Sequence, residues 1–452
     1  MATLTRGGHD GRLTSAPHRA PASRAALVSW ALYDWANSGF STVVETFVFA
    51  AYFTRQVAPD EATGSVLWGN TVSAASLVVA LTGPMVGAIA DQGGRRKPGI
   101  AVFTAWCVVA TAMLWTVRPD AASMWPAMLL VGMGIVGSEL AGVLYNAMLA
   151  DLVPPDRLGR WSGWGWSAGY AGGLVCLVVA LLAFIQGGGA WLSLDAATAE
   201  PVRATFVLTA VWFAVFALPL LLVTPDVPAT GVSAGAAVQA GFRQLADSLR
   251  EVRRYRDIVR FLVARMLYID GLGTVFAFGG VYAAGTFDMT EQQVLLFGIA
   301  LNLTAGLGAA GFAWVDDWLG AERTIVLSLV GLIVAASAML LVESQPAFWV
   351  FGMLLGVFVG PVQASGRSYL ARVAPPALRT QMFGLYALSG KATAFVGPLV
   401  VGWVTWGTGS QRVGMASVLV LFGAGLVLML TLPGVGGSLY KRGSATGVPH
   451  GK

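Results

Sequence analysis

Apolar residues in this chain recur in runs too long for the core of a soluble domain. Twelve such runs follow one another, at about 26–53, 66–90, 98–117, 124–150, 163–185, 203–223, 258–284, 292–314, 324–342, 347–371, 382–405 and 413–432. About 20 mostly apolar residues cross a bilayer as a helix. In lipid every backbone N–H and C=O must be satisfied inside the segment or barrel, so long apolar runs predict helices. The expected fold is all-α and integral to the membrane, with twelve transmembrane helices. One long polar stretch interrupts the series, at 225–257. Within it Phe242, Leu245, Leu249 and Val252 recur at helical spacing. That pattern predicts an amphipathic helix lying along the membrane surface.

Composition agrees with the pattern. Apolar residues make up 56% of the 452 and charged residues 11%, where a soluble domain carries about a quarter charged. The net charge of +5 could point to nucleic acid, but its placement does not. Arg95, Arg96 and Lys97 lie in one loop and Arg243, Arg250, Arg253, Arg254, Arg256 and Arg260 in another. The intervening loops hold Asp60, Glu61, Asp195, Glu200, Asp288, Glu291 and Glu343. Excess Lys and Arg mark the cytoplasmic side, which places both termini inside. Arg55, Arg118, Arg203 and Arg412 are exceptions to this rule. The first apolar run is too long for a cleavable leader and holds acids. Cys107 and Cys176 fall inside spans and read as small core hydrophobes.

The chain divides into related halves. Pro154, Pro155, Gly163 and Gly169 recur at an offset of 221 as Pro375, Pro376, Gly384 and Gly390. Asp91 after the second span has a counterpart in Asp317 after the eighth, and Leu32-Tyr33-Asp34 resembles Tyr268-Ile269-Asp270. These matches predict two pseudo-symmetric six-helix bundles at 25–224 and 258–433. They are joined by the linker 225–257 and flanked by cytoplasmic tails 1–24, expected to be disordered, and 434–452. Small residues at four-residue spacing, such as Gly165, Gly169 and Gly173, read as helix-packing positions. Tryptophans near span ends read as interfacial anchors.

Chemistry rests with ionisable groups inside the spans. Each costs about 2.5–3.5 kcal/mol near the bilayer centre, and six such groups together cost on the order of 15–20 kcal/mol. They are therefore expected to face a wet cavity or one another. Asp34, Asn37, Ser38, Ser41 and Glu45 predict one polar stripe on the first span. Asp34 and Glu45 would lie within roughly 20° on the helix wheel and about 16 Å apart. Glu139 and Asn146 share a face of the fourth span. Asp270, Asn302, Gln363, Arg367 and Lys391 come from the second half. A carboxylate of a zwitterion would find Lys391 or Arg367, and an ammonium Asp34, Glu139 or Asp270. A carboxyl whose solvation changes can load and release a proton. Asp34, Glu139 and Asp270 are the candidates, with Glu45 nearer the outer rim.

The segment 83–97, GPMVGAIADQGGRRK, resembles the signature loop of the major facilitator superfamily through Gly87, Asp91, Gly94, Arg95 and Arg96. The second copy, around Asp317, Gly320 and Arg323, has Ala313 in place of the leading glycine. Two further stretches, Trp30-Ala-Leu-Tyr-Asp-Trp-Ala-Asn-Ser38 and Phe383 to Pro398, resemble the vacuolar amino-acid effluxer-like family. The resemblance implies a twelve-helix, two-bundle transporter working by alternating access, with a cytoplasmic gate at the signature loop. It also implies that Asp91 meets the start of the eleventh span near Thr380 and Gln381, and that amino acids are a candidate substrate class.

The expected function is secondary transport of a small polar or zwitterionic solute, coupled to protons. The alternative is a multidrug or lipid-type exporter of the same fold, which should present an aromatic, weakly charged cavity. A membrane enzyme acting on lipid is more remote. It would need a metal or nucleophile constellation, and the only histidines are His9, His18 and His450 in the tails. No metal, cofactor or nucleic-acid partner is expected. The expected partners are the solute, H⁺ and the bilayer, and the expected form is a monomer in a bacterial inner membrane.

Overall fold

The computed structural model describes residues 22–186, 193–250 and 255–433. The expected tails fall almost wholly outside these residues, as does Val252 of the linker. Eleven described helices are long and apolar enough to span a membrane. In the first half they are Glu61–Gly93, Lys97–Thr116, Ala121–Leu152, Pro155–Gln186 and Glu200–Val223. In the second half they are Arg256–Phe287, Gln292–Leu319, Ala321–Leu341, Gln345–Val373, Pro376–Thr408 and Gln411–Leu430. They are the second to sixth and the seventh to twelfth spans.

The first span completes the set of twelve, but it is not one regular helix. An α-helix at Arg24–Phe40 gives way to a π-helix at Ser41–Phe47, then an α-helix at Val48–Tyr52 and a second π-helix at Phe53–Val57. The wider turn is stitched by side chains as well as backbone, since the Thr46 hydroxyl donates to the Ser41 carbonyl at 2.9 Å. A π turn spaces its bonds five residues apart. The wheel arithmetic that aligned Asp34 with Glu45 assumes a regular α-helix and therefore does not apply beyond Ser41.

The eleventh span is also discontinuous. Its helix Arg379–Lys391 stops, residues 392–395 turn, and a second helix runs Val396–Thr408. The seventh span stabilises this break. Asp270 accepts the Gly397 N–H at 3.1 Å and 3.2 Å with its two oxygens, occupying the start of the second helix.

The halves meet along two symmetric contacts, the second span on the eleventh and the fifth on the eighth. Lipid offers no hydrophobic drive to bring helices together, so close backbone approach must supply the dispersion contact. Gly384 lies against Gly83 and Pro84, and a Cβ there would meet the Gly83 carbonyl oxygen. Its repeat partner Gly163 lies against Ala309 and Ala313, where a Cβ would come within 2.6 Å of the Ala309 carbonyl oxygen. The recurring glycines thus mark the two most extensive contacts between the bundles among the described residues.

The linker helix, Ala234–Arg250, packs on the end of the second span. Ala237 and Gly241 are buried there, with Gly241 against Ile89, while Val238 and Phe242 stay exposed. Gly384→Val is expected to cost about 1–3 kcal/mol through overpacking, seen as a lower unfolding midpoint in detergent. An unchanged midpoint would mean that this contact is slack.

Candidate functional site

Charged residues between the halves form layers, beginning at the loop that follows the second span. Gly94, at φ 82°, ends that helix by accepting a backbone turn a side chain would resist. The turn leaves Asp91 facing the other half. Its carboxylate accepts the N–H groups of Thr380 and Gln381, each at 2.9 Å, at the first turn of Arg379–Lys391. Gly87 makes room for this approach, since a Cβ there would come within 2.7 Å of Gln381 Cα. Arg96 is buried, donates from Nε to the Thr380 hydroxyl at 3.0 Å and pairs with Asp151. Arg379 pairs with the same Asp151 at 2.6 Å. Arg95 is exposed.

The second half repeats the device. Asp317 accepts the N–H groups of Gly159 at 2.8 Å and Arg160 at 3.2 Å. Gly159 and Arg160 stand at the positions that Thr380 and Gln381 hold in the repeat. Asp317 also pairs with Arg160 at 3.5 Å and Arg372 at 3.4 Å, and Arg372 holds Asp316 at 2.6 Å. The altered glycine of the second copy leaves the carboxylate–helix contact intact. Each such contact is worth about 0.3–2 kcal/mol. The linker adds further ties on this side. Asp226 accepts the Arg96 and Lys97 N–H groups, and Gln244 bonds both Gln92 of the first half and Gln381 of the second.

A second layer lies deeper. Arg367 of the tenth span is 2% exposed and reaches into the first half. It pairs with Asp34 at 2.8 Å and donates to Asn146 Oδ1 at 3.1 Å, the Ser162 carbonyl at 2.7 Å and the Ser162 hydroxyl at 3.0 Å. Its guanidinium carbon stands 4.9 Å from the Trp30 ring centroid, within cation–π range. One cation thus ties the first, fourth and fifth spans to the tenth.

The third layer is half-exposed. Lys391 Nζ stands 2.7 Å from Glu139 Oε1, across the halves. Glu45 lies within electrostatic reach of both. Lys391 ends the inner helix of the broken eleventh span, and Glu45 sits in the π turn of the first, so both irregular segments deliver a charge to one place. A cavity of about 1190 Å³ opens from Lys391 between the second and eleventh spans, on the side away from the Asp91 loop.

The remaining predicted site residues do not join these layers. Asn37 accepts from the Ser138 hydroxyl at 2.7 Å within the first half, and the Ser41 hydroxyl donates to the Ser38 carbonyl. Asn302 turns back onto the Gly298 carbonyl at 2.9 Å. Gln363 donates to the Tyr170 hydroxyl at 3.0 Å, a further contact between halves. Asp270 caps the broken span. Sequence reasoning missed Asp151, Arg379, Asp316, Arg372 and Ser162. A signal existed for two of them, because Asp151 and Arg372 each precede a Pro-Pro pair by three residues at the repeat offset.

Twelve spans in two related halves, latched through a signature loop and hollow between the bundles, define a multi-pass membrane transporter of the major facilitator class. The model of the family described as "Vacuole effluxer Atg22 like" matches residues 156–435. The chain belongs to that family. It is 26% identical over 409 residues to an uncharacterized MFS-type transporter, YxiO, of Bacillus subtilis, covering 90% of this chain and 94% of that one. It is 22% identical over 380 residues to autophagy-related protein 22 of Kluyveromyces lactis, covering 77% and 74%. It spans 48% of the length of a Penicillium rubens relative, autophagy-related protein 22-1, and 60% of this chain takes part in that match at 26% identity. Among solved structures, the MFS transporter FucP in its outward conformation superimposes with a TM-score of 0.71 at 10% identity, covering 90% and 97%. The human organic anion transporter MFSD10 does so with a TM-score of 0.68 at 18% identity, covering 91% and 100%. Family membership and the MFS-type relative make this chain a transporter and not an enzyme.

If the two carboxylate–helix contacts are equivalent, Asp91→Asn and Asp317→Asn should each loosen the loop side. Faster labelling of a cysteine placed at Ser162 would report it, with an increase on the order of several-fold per kcal/mol lost. Loosening by Asp91→Asn alone would show that the second contact is ornamental.

Proposed function

We propose that the protein is a proton-linked secondary transporter for a zwitterionic solute, recognised at Glu45, Glu139 and Lys391. The observation that carries the reading is the Glu139–Lys391 ion pair at 2.7 Å, formed across the halves, both side chains partly exposed and Lys391 lining the cavity. A bare ion pair in the bilayer costs energy that only water, a partner or a ligand offsets. A carboxylate of the solute competes with Glu139 for Lys391, and an ammonium competes with Lys391 for the acids. A ligand that exchanges partners with both halves couples its own binding to their separation.

The layers beneath act as the gate in this reading. Asp91, Asp317, Arg96 and the Asp34–Arg367 pair close the loop side, which positive-charge bias assigns to the cytoplasm. Gly87, Gly94 and Arg95 shape or flank the first contact. When the halves part there, Asp34 loses Arg367, Glu139 loses Lys391, and each carboxyl is free to take a proton. The proton step thus belongs to acids whose cation sits on the opposite half. Asp270 is tied to Gly397 of its own half and serves to hold the broken span, a structural role. Amino acids fit the solute chemistry, and the effluxer relatives support that class.

Reconstitution tests the reading. Lys391→Ala is expected to lower affinity for amino-acid-like zwitterions tenfold or more in a binding titration, while the purified protein keeps its fold by circular dichroism. Wild-type affinity in that variant would remove Lys391 from the site. Asp34→Asn and Glu139→Gln together should abolish uptake driven by a pH gradient in proteoliposomes. Persistence of gradient-driven uptake would show that protons couple elsewhere.

A further inference from the structure

The cavity above Lys391 is not a uniform polar vestibule. At its deep end stand Lys391, Ser73 and Ser76. Toward the outer end the walls become Trp68, Leu399, Trp403 and Trp406. Trp403 and Trp406 are 66% and 81% exposed, so neither ring is covered by the rest of the protein. Among the described residues, Lys391 is the only charged one in the lining. The cavity follows from helix geometry. The second and eleventh spans touch at Gly83 and Gly384 and diverge above, so the space between them is a crevice.

Two observations separate this crevice from an ordinary lipid-facing groove. The first is the broken helix. Ala392, Ala394 and Phe395, where the eleventh span stops being helical, are exposed and line the crevice. Non-helical backbone at membrane depth is tolerated only inside protein or against a water-filled space, and this turn follows directly on Lys391, whose side chain is 27% exposed. The second is size. A drug-sized ligand occupies a pocket of about 300–1,000 Å³, and the crevice measures about 1190 Å³, well beyond a small zwitterion. Gly69 on one wall and Gly402 on the other face open space, with nothing within 4 Å of a Cβ at either.

We infer that the solute is an amphiphile. Its zwitterionic head sits at Lys391, Glu139 and Glu45, and its apolar chain lies in the crevice between the second and eleventh spans. This rests on the recognition site proposed above and names the class of molecule that site takes. The head exchanges with water and the ion pair at the deep end. The chain stays against Leu399 and the tryptophans, whose rings suit the boundary between apolar and wet surroundings. Such a molecule gains from both ends of the polarity gradient, whereas a chainless zwitterion gains from only one.

Lysophosphatidylethanolamine and glycerophosphoethanolamine share a head and differ by the chain, so they separate the two contributions. Binding to the full-length protein in nanodiscs is measured for both, in wild type, Gly402→Phe and Lys391→Ala. Gly402→Phe fills the crevice from a position with open space, so the fold is expected to survive, and circular dichroism checks this. Wild type is expected to bind the chain-bearing compound at least tenfold more tightly. Gly402→Phe should erase that preference without changing glycerophosphoethanolamine binding, and Lys391→Ala should weaken both compounds. Equal affinity of wild type for the two, binding of neither, or an undiminished preference in Gly402→Phe overturns the proposal. If the preference is absent while Lys391→Ala still abolishes binding of amino-acid-like zwitterions, the crevice assignment falls and the transporter reading stands.

Discussion

A helix that begins inside a polytopic membrane protein leaves its first N–H groups without partners, and something must accept them. In this protein the acceptor at the fifth and eleventh spans comes from the opposite half of the molecule. Asp317 holds the start of the fifth span and Asp91 the start of the eleventh, at distances of 2.8–3.2 Å. Because each contact is polar, short and confined to one carboxylate and two N–H groups, it can be broken without tearing an apolar core. Glycine contacts at Gly163 and Gly384 bring the backbones close enough for it to form. The closed side of the molecule is thus held by two small interactions at corresponding places in the halves, reinforced by the linker through Gln244.

Deeper in, the same logic is applied to full charges. Arg367 and Lys391 from one half find Asp34 and Glu139 on the other. A buried pair is weak evidence for stability, because desolvation offsets much of the attraction, but breaking it leaves a charge that must be compensated. Separation of the halves therefore demands water, a proton or a ligand at each level. In the inner pair Arg367 is buried beside Trp30, Ser162 and Asn146, whereas Lys391 of the outer pair lines the cavity. That difference in exposure orders the events. In the proposed reading a ligand enters at Lys391 while the Asp34–Arg367 layer still blocks the far side.

Much of this was legible in the sequence, for identifiable reasons. Apolar length alone gives the spans, because lipid permits few other solutions. The repeat was readable in Pro154–Pro155 against Pro375–Pro376, and the position of Asp91 followed from its resemblance to a known loop. The pairing of charges was not readable. Arg367 and Asp34 are 333 residues apart in sequence, and nothing in the spacing distinguishes this partner from Glu139. The angle between Asp34 and Glu45 was not readable for a local reason, since no helix-wheel argument anticipates a π turn at Ser41. The partner of Asp270 was not readable either, because it is the Gly397 backbone N–H at the break in the eleventh span. An acid inside a span is a strong sign of function, but a helix interruption can use one for structure.

The central claim is that the loop side is closed by matched carboxylate–helix contacts that must open during transport. Spin labels at the exposed positions Arg157 and Arg323, one in each half on that side, report the separation by pulsed electron resonance in lipid. Wild type should show a dominant short distance, and the Asp91→Asn, Asp317→Asn double variant should shift a substantial fraction to a longer one. Identical distance distributions in the two proteins would contradict the account.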